Sequence, residues 1–209
     1  MAEIRIGRMV LGSYATNCYL LYREEDPRVI VVDPADQGEQ IYKKLTEKGF
    51  QVEAIFLTHG HFDHIWGAKA LKEISGAKIY ALAEEVSLLE SAKLNVSQWA
   101  GRACVLTPDV LLSDGEEVTV AGMSCKVLAT PGHTAGSCCY YFPAGELCVC
   151  GDTIFQESVG RTDFPTGSAS ALVNSIREKI FTLPDGVQLY PGHGDSTTVE
   201  HEKQYNPYC

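Results

Sequence analysis

The chain has 209 residues and a formal net charge of −10, with 45% hydrophobic and 21% charged residues. This composition is typical of a soluble globular protein, and the acidity argues against a general basic surface for nucleic acid. The apolar runs are too short to span a bilayer, and the first residues lack the basic start and long apolar segment of a secretory signal. We therefore predict a cytoplasmic protein without a nucleic-acid or membrane partner. One domain over 1–209 is expected, and homo-oligomer formation stays open.

The first half of the chain alternates apolar runs with turn residues, which predicts strands separated by helices. The expected strands are 4–11, 18–22, 29–32, 53–57 and 78–82. Helices are expected to begin near residues 36, 65 and 84. Asp36 and Glu39 resemble a capping box for the first helix, and Gly49 and Gly76 suit helix ends. The segment 93–108, which contains Trp99, fits either a surface loop or a flexible flap over a pocket.

The second half is richer in strands. They are expected over 117–121, 124–129, 137–142, 147–150 and 187–190. A helix is predicted over 168–181, where apolar residues recur on one face. Two rounds of strands and helices favour an α+β architecture of two packed sheets with helices outside. The eight cysteines are expected as thiols; Cys148 and Cys150 either pack in the core or have a metal or redox role.

Residues 58–64 place three histidines and an aspartate directly behind an apolar strand, in the order Thr-His-Gly-His-Phe-Asp-His. Imidazole nitrogen and carboxylate oxygen are ligands of Zn(II) and of non-haem iron, so this segment predicts a metal site. A solvated histidine-rich loop is the other interpretation. The position after a strand favours the metal site, because α/β proteins usually build sites at the carboxyl ends of strands.

Two further histidines share a setting. His133 and His193 each follow a Pro-Gly pair after an apolar strand, and Asp152 also follows a strand. A Pro-Gly turn lets the chain leave the sheet sharply and directs the next side chain across the end of the sheet. Taken singly, each residue fits a turn or a helix cap, but their common position predicts one cluster. Asp33 also ends a strand, where it either orients a histidine or forms a turn.

Four motifs together resemble the metallo-β-lactamase superfamily over nearly the whole chain. They are, in order, Thr-His-x-His-x-Asp-His, Pro-Gly-His-Thr-x-Gly-Ser, Gly-Asp-Thr and Pro-Gly-His-Gly. Gly-Arg-Thr-Asp-Phe at 160–164 and the ending from residue 191 are most similar to the short glyoxalase II-like (hydroxyacylglutathione hydrolase-like) hydrolases. The resemblance implies an αββα sandwich of two mixed sheets with two divalent metal ions at one end, Zn²⁺ foremost and Fe or Mn otherwise. It implies one metal on His59, His61 and His133, a second on Asp63, His64 and His193, and a bridge through Asp152.

The chemistry of such a site favours hydrolysis. Two divalent ions, two carboxylates and a metal-bound hydroxide leave a net charge of about +1, which suits attack on a polarised carbonyl. We therefore predict a dinuclear zinc hydrolase that cleaves a small-molecule thioester such as an acylglutathione, with Asp63 and Asp152 as catalytic residues. Arg161 is expected to contact a substrate carboxylate or to be a structural surface residue. Trp99 is an aromatic candidate for the pocket wall, whereas Tyr140 and Tyr141 are expected in the core.

The same residues bear on other activities of this superfamily. Gly-Arg-Thr-Asp-Phe also resembles the persulfide dioxygenases, and this alternative implies a single iron on His59, His133 and Asp152. The missing export signal disfavours a β-lactamase, and the acidity disfavours an RNA-processing nuclease. A non-catalytic binding module is expected to have lost a ligand, and every expected ligand is present.

Overall fold

A computed structural model describes residues 3–209, and the amino-terminal half forms the first of two large sheets. Its strands are β1 (Ile4–Leu11), β2 (Thr16–Arg23), β3 (Arg28–Val32), β4 (Gln51–Phe56), β5 (Lys78–Leu82) and β6 (Val110–Leu112), and they lie in this order across the sheet. β1 to β3 are antiparallel, and β3 to β6 are parallel. The carboxyl ends of β3 and β4 therefore lie side by side, and the histidine-rich segment begins there.

Four helices belong to this half: α1 (Gly38–Glu47), α2 (Phe62–Ile65), α3 (Ala68–Ser75) and α4 (Val86–Leu89). The predicted capping box is wrong. Gln37 precedes α1 in a left-handed conformation, and the Asp36 carboxylate instead accepts from Gln37 N at 2.8 Å and from Arg102 at 2.9 Å. The helix expected near residue 65 is split into α2 and α3, because Gly67 N donates to Pro34 O at 2.8 Å between them. Gly76 ends α3 in a left-handed conformation, as predicted.

The carboxyl-terminal half forms the second sheet. Its strands are β7 (Glu117–Val120), β8 (Met123–Ala129), β9 (Cys138–Phe142), β10 (Leu147–Gly151), β13 (Gln188–Pro191) and β14 (Thr197–Thr198), in the spatial order β14-β13-β10-β9-β8-β7. A small hairpin of β11 (Ile154–Phe155) and β12 (Ser158–Val159) follows β10. The helices are α5 (Ala169–Ser175), which continues as a π-helical turn over Ile176–Ile180, and α6 (Val199–Tyr205). The sequence did not predict β6, β11, β12, β14 or α6.

The core has three layers of apolar side chains, which confirms the αββα sandwich. Between the sheets, Phe56 of the first sheet packs against Tyr140 of the second, with ring centroids 4.8 Å apart. α1 and α3 cover the outer face of the first sheet, and α5 with its π-helical turn covers that of the second. Cys148 and Cys150 are fully buried in this last layer, as the core interpretation predicts, and burial raises the pKa of the Cys150 thiol. Every helix within residues 3–209 is too short or too polar to cross a membrane.

Candidate metal centre

The predicted metal-ligating side chains lie together at one edge of the sandwich. β3 and β4 of the first sheet end at this edge, and so do β8, β10 and β13 of the second. The residues follow these strand ends: His59, His61, Asp63 and His64 come after β4, His133 after β8, Asp152 after β10 and His193 after β13. Strands that run in one direction place their following loops at one edge, which accounts for the clustering.

The first donor group consists of His59, His61 and His133. His133 Nε2 lies 2.8 Å from His61 Nδ1 and 3.2 Å from His59 Nε2. All three side chains are buried, and their facing nitrogens lie within 4.8 Å of one another. Three imidazoles that converge at this spacing can hold one metal ion.

The second donor group consists of Asp63, His64 and His193. Asp63 Oδ2 lies 3.4 Å from His193 Nε2 and 4.0 Å from His64 Nε2. Asp152 stands between the two groups, since its Oδ1 is 3.4 Å from His64 Nε2 and its Oδ2 is 3.5 Å from His133 Nε2. The Asp152 carboxylate can therefore serve both groups. The ligand roles of all these residues remain predictions.

The Asp33 carboxylate orients two histidine side chains, one directly and one through Thr58. Its Oδ2 lies 2.9 Å from His64 Nδ1, and Thr58 donates to its carboxylate through the backbone N at 2.8 Å and the hydroxyl at 2.6 Å. The Thr58 oxygen in turn accepts from His59 Nδ1 at 3.2 Å. Asp33 has φ +50°, a left-handed conformation that aspartate tolerates better than most residues. It therefore both orients a histidine and forms the turn after β3.

Backbone carbonyls fix the other two isolated histidines. His133 Nδ1 donates to Arg161 O at 2.7 Å, and His193 Nδ1 donates to Tyr14 O at 3.1 Å. A carbonyl oxygen can only accept, so these nitrogens carry the ring proton. Consequently the Nε2 atoms of His133 and His193 direct lone pairs into the centre, as metal-binding imidazoles do.

The chemistry of these donors fits a pair of divalent cations. His59 and His133 carry their ring protons on Nδ1, so their Nε2 lone pairs face each other at 3.2 Å, a distance that is repulsive unless a cation lies between them. Three buried atoms, His61 Nε2, His64 Nε2 and Asp152 Oδ1, have no hydrogen-bond partner within residues 3–209. Buried polar atoms are rarely left unpaired, and the last two lie at the junction of the groups, where a cation would satisfy both.

The electrostatics differ between the two groups. Burial lowers the pKa of His59 well below its usual value and that of His61 to about 3, so both rings are neutral. Burial also opposes charge on His64, but the carboxylates of Asp152 and Asp63 outweigh it and raise the pKa of His64 well above its usual value. Burial alone would raise the pKa of Asp152, yet the neighbouring His64 lowers it far below the usual range. The second group therefore stabilises positive charge, which either a proton or a metal ion can supply.

A cavity of about 530 Å³ opens onto the centre. The segment 93–108 contributes Trp99 to its wall, as the pocket interpretation predicts, while mobility of this segment remains a prediction. Tyr140 is buried in the core, with its hydroxyl donating to Leu57 O at 2.7 Å. Arg161 also lines the cavity, but its guanidinium forms two hydrogen bonds to Asp163 at 2.7 and 2.8 Å.

Glu85, which was not predicted from the sequence, is a buried carboxylate that joins the two loops of the first donor group. It accepts from Gly60 N at 2.7 Å, between His59 and His61, and from Thr134 Oγ1 at 2.9 Å, directly after His133. Gly136 N donates to its other oxygen at 2.9 Å. Burial raises the pKa of Glu85 to about 7. The only signal in the sequence is an acidic residue at a helix start, which is too common to identify such a role.

Fold and donor set together define a two-sheet sandwich protein with a metal-binding centre at the sheet edge. Comparison with known proteins gives the family. The chain belongs to the metallo-β-lactamase superfamily, whose family model matches residues 11–193. It is 36% identical to the probable metallo-hydrolase YqgX of Bacillus subtilis, over 96% of this chain and 95% of that protein. It is 31% identical to the hydroxyacylglutathione hydrolase GloC of Haemophilus influenzae, over 94% of this chain and 93% of that protein.

Solved structures agree on the fold. The B3 metallo-β-lactamase BLEG-1 matches with a TM-score of 0.93 and 34% identity, over 98% of this chain and 99% of that one. ETHE1 from Myxococcus xanthus matches with a TM-score of 0.81 and 30% identity, over 97% of this chain and 83% of that one. TTHA1623 in a di-iron-bound form matches with a TM-score of 0.86 and 32% identity, over 97% of this chain and 100% of that one. Metal-dependent hydrolysis is consistent with this family. The specific reaction has to be argued from the residues of the site.

Proposed function

We propose that this protein is a dinuclear zinc hydrolase that cleaves small-molecule thioesters such as acylglutathiones. The observation that supports this best is the completeness of the donor set. Three histidines converge on one side of Asp152, and Asp63, His64 and His193 converge on the other. Similarity to a protein named hydroxyacylglutathione hydrolase supports the same reaction.

The two donor groups would hold two divalent ions, which would supply a water with a pKa lowered toward ~7 and a Lewis acid for a carbonyl oxygen. The residues of the chain set the charge around them. Asp63 and Asp152 have pKa values below the usual range, because His64 outweighs the effect of burial, so both are anionic at neutral pH. They would offset part of the charge of two bound metal ions and leave the centre cationic, which would favour a substrate that develops negative charge on its carbonyl oxygen. A thioester suits this centre because a thiol with a pKa near ~8.5 leaves without strong acid assistance.

The second candidate is a persulfide dioxygenase with one iron on His59, His133 and Asp152. These side chains do face one another, with His133 Nε2 3.2 Å from His59 Nε2 and 3.5 Å from Asp152 Oδ2. The segment Gly-Arg-Thr-Asp-Phe at 160–164, which resembles the persulfide dioxygenases, favours the same candidate. We prefer the hydrolase because a single iron leaves the second donor group without a function.

Metal content and two activity assays test the proposal. Protein purified without chelators and under low oxygen should contain near two zinc ions per chain by elemental mass spectrometry, and it should hydrolyse acylglutathiones. Near one iron per chain, no thioester hydrolysis and oxygen uptake that depends on glutathione persulfide would establish the dioxygenase instead. A cephalosporin belongs in the same panel because of the similarity to BLEG-1. Where the metals are mixed, the activity assays decide.

A further inference from the structure

We infer that the pocket recognises its substrate through an apolar, preferably aromatic, acyl group, and that the charged ends of a glutathione arm add little to binding. This inference rests on the proposed function, which places the thioester bond at the metal centre. It concerns the walls of the cavity rather than the centre itself.

Both walls of the cavity are aromatic. On the side of the first sheet, Tyr14 and Phe62 lie edge to face with ring centroids 4.9 Å apart, and Trp99 adjoins them in the cavity lining. On the other side, Phe155 contacts the His193 ring at 6.2 Å and Phe164 contacts the His61 ring at 5.5 Å, measured between centroids. A group attached to a carbonyl at the centre would therefore lie between aromatic surfaces.

The rim of the cavity exposes apolar surface that the protein does not cover. Trp99 is 63% exposed and Tyr14 is 51% exposed, although both are large aromatic side chains. The segment that carries Trp99 is tied to α2, because Phe62 N donates to the carbonyl oxygen of Asn95 at 3.1 Å. An anchored aromatic surface that faces solvent at the mouth of a cavity is typical of a ligand-binding wall.

The charges of the cavity do not suit a glutathione arm. Among the lining residues within 3–209, Arg161 is the one with a guanidinium or ammonium group. That guanidinium is paired through two hydrogen bonds with Asp163 and lies 3.7 Å from the centroid of the Phe164 ring. Glutathione carries two carboxylates and would have to compete with Asp163 for this single cation. The apolar half of the substrate is therefore the half that the pocket can select.

Binding of uncleavable thioethers to the zinc-loaded protein tests the inference. The probes are S-(2-phenylethyl)-N-acetylcysteamine, S-ethyl-N-acetylcysteamine and S-ethylglutathione, each titrated by isothermal calorimetry. We expect the phenylethyl compound to bind at least tenfold more tightly than the ethyl compound. Replacing N-acetylcysteamine by glutathione should change the affinity less than threefold. Equal affinities for phenylethyl and ethyl, or a tenfold preference for glutathione, would overturn the inference.

Variants locate the selectivity. Trp99→Ala should reduce the phenylethyl preference to below threefold, and Trp99→Phe should restore most of it. Val105→Ala is the matched control, because Val105 is 56% exposed on the same segment but does not line the cavity. Asp163→Ala removes both acceptors of the Arg161 guanidinium and should make S-ethylglutathione bind more tightly. The assignment of Trp99 to the binding wall would be contradicted if Val105→Ala lost the phenylethyl preference or if Trp99→Ala kept it.

Thioesters with an aromatic and an aliphatic acyl group distinguish failure of this inference from failure of the proposed function. Phenylacetyl and acetyl thioesters of N-acetylcysteamine report hydrolysis, whereas the thioethers report binding alone. A phenylethyl preference in binding without hydrolysis of any thioester would defeat the hydrolase proposal and leave the apolar pocket standing. Hydrolysis without any acyl preference, in kcat/KM or in binding, would defeat only the inference.

Discussion

Asp152 lies between the two donor groups, and the backbone of Gly192 packs closely against its carboxylate. A Cβ atom at Gly192 would collide with Asp152 Oδ1 and would lie 2.6 Å from His64 Cε1, so glycine is required there. The carboxylate is thus confined between His64 and His133, at 3.4 and 3.5 Å. Confinement of this kind preorganises a bridging ligand, because little side-chain freedom is left to lose on binding.

We expect Asp152→Ala to abolish zinc binding at both positions and to lower kcat by at least about 100-fold, since both donor groups lose their shared carboxylate. Elemental mass spectrometry and thioester hydrolysis measure the two effects. Asp185→Ala is the control, because Asp185 pairs with Lys203 at 2.6 Å and precedes β13, at the end of that strand away from His193. Retention of two zinc ions per chain in Asp152→Ala would show that the residue is not the bridge.

Glu85 acts on the first donor group through the backbone rather than through a ligand. Both of its oxygens accept from N–H or hydroxyl donors next to His59, His61 and His133. Glutamine can accept with only one oxygen, so its NH₂ group would face one of these donors. The loops that carry the three imidazoles would then separate, with a loss of metal affinity typical of outer contacts.

Glu85→Gln should therefore weaken zinc binding about tenfold in a competition titration with a chromophoric chelator. It should also change the pH dependence of stability. The folded pKa of about 7 lies above the ordinary 4.5, so the native state binds the extra proton and the unfolding free energy falls as pH rises from 4.5 to 7. The variant should lack this fall, which is on the order of 3 kcal/mol. Glu84→Gln, at an exposed neighbour, is the control; unchanged affinity and slope in Glu85→Gln would refute the role.

At the scale of elements, α6 is docked by a buried carboxylate rather than by an apolar stripe. Glu202 is 1% exposed and accepts from Thr197 Oγ1 at 2.6 Å, from Glu157 N at 2.9 Å and from Asn206 Nδ2 at 2.8 Å. Glu157 lies in the turn between β11 and β12. This hairpin also carries Phe155, which lines the cavity. Glu202 therefore connects the last helix to an element of the pocket.

Glu202→Gln should lower the free energy of unfolding by about 1–3 kcal/mol, because one buried donor loses its acceptor. Urea denaturation at constant zinc measures this change. Glu200→Gln provides the comparison within the same helix, since Glu200 is exposed and should alter stability by less than about 0.5 kcal/mol. Equal stability of the two variants would show that Glu202 does not dock the helix.

The same elements explain what the sequence could predict. Long runs with clear periodicity, such as β1 and β8, were predicted close to their observed bounds. β11, β12 and β14 have two residues each, too few to show an alternating pattern. The helix α6 buries only Val199 and Glu202, so it lacks the apolar stripe by which amphipathic helices are identified.

The metal centre likewise has a part that the sequence predicts, its donor residues, and a part that it does not, the contacts behind them. The histidine-rich segment is local in sequence, so its donors could be predicted directly, and the strand ends predicted that His133, Asp152 and His193 would join it. The outer contacts depend on segments far apart in the chain. His193 Nδ1 meets Tyr14 O, 179 residues away, and such pairs exist only once both sheets are packed. No local pattern encodes them.

At the scale of the whole molecule, the centre lies across the boundary between the two halves of the chain. The first half supplies His59, His61, Asp63 and His64, and the second supplies the rest. Backbone hydrogen bonds already cross this boundary: Cys138 N donates to Thr58 O at 2.8 Å, and Asn17 N donates to Gly192 O at 2.7 Å. Bound metal would add links that only the packed sandwich can form, so metal binding and docking of the sheets are thermodynamically coupled.

Chelation should therefore lower the stability of the whole molecule and not only its activity. Zinc at a free concentration 100 times its Kd should raise the free energy of unfolding by about 2.7 kcal/mol, provided the unfolded chain binds it weakly. Thermal unfolding of chelated and zinc-reconstituted protein measures the effect, with Asp152→Ala as the control that should show little response to zinc. If the wild-type protein unfolded at the same temperature with and without zinc, the metal would not bind the packed sandwich more tightly than the unfolded chain, and the centre would not connect its two halves.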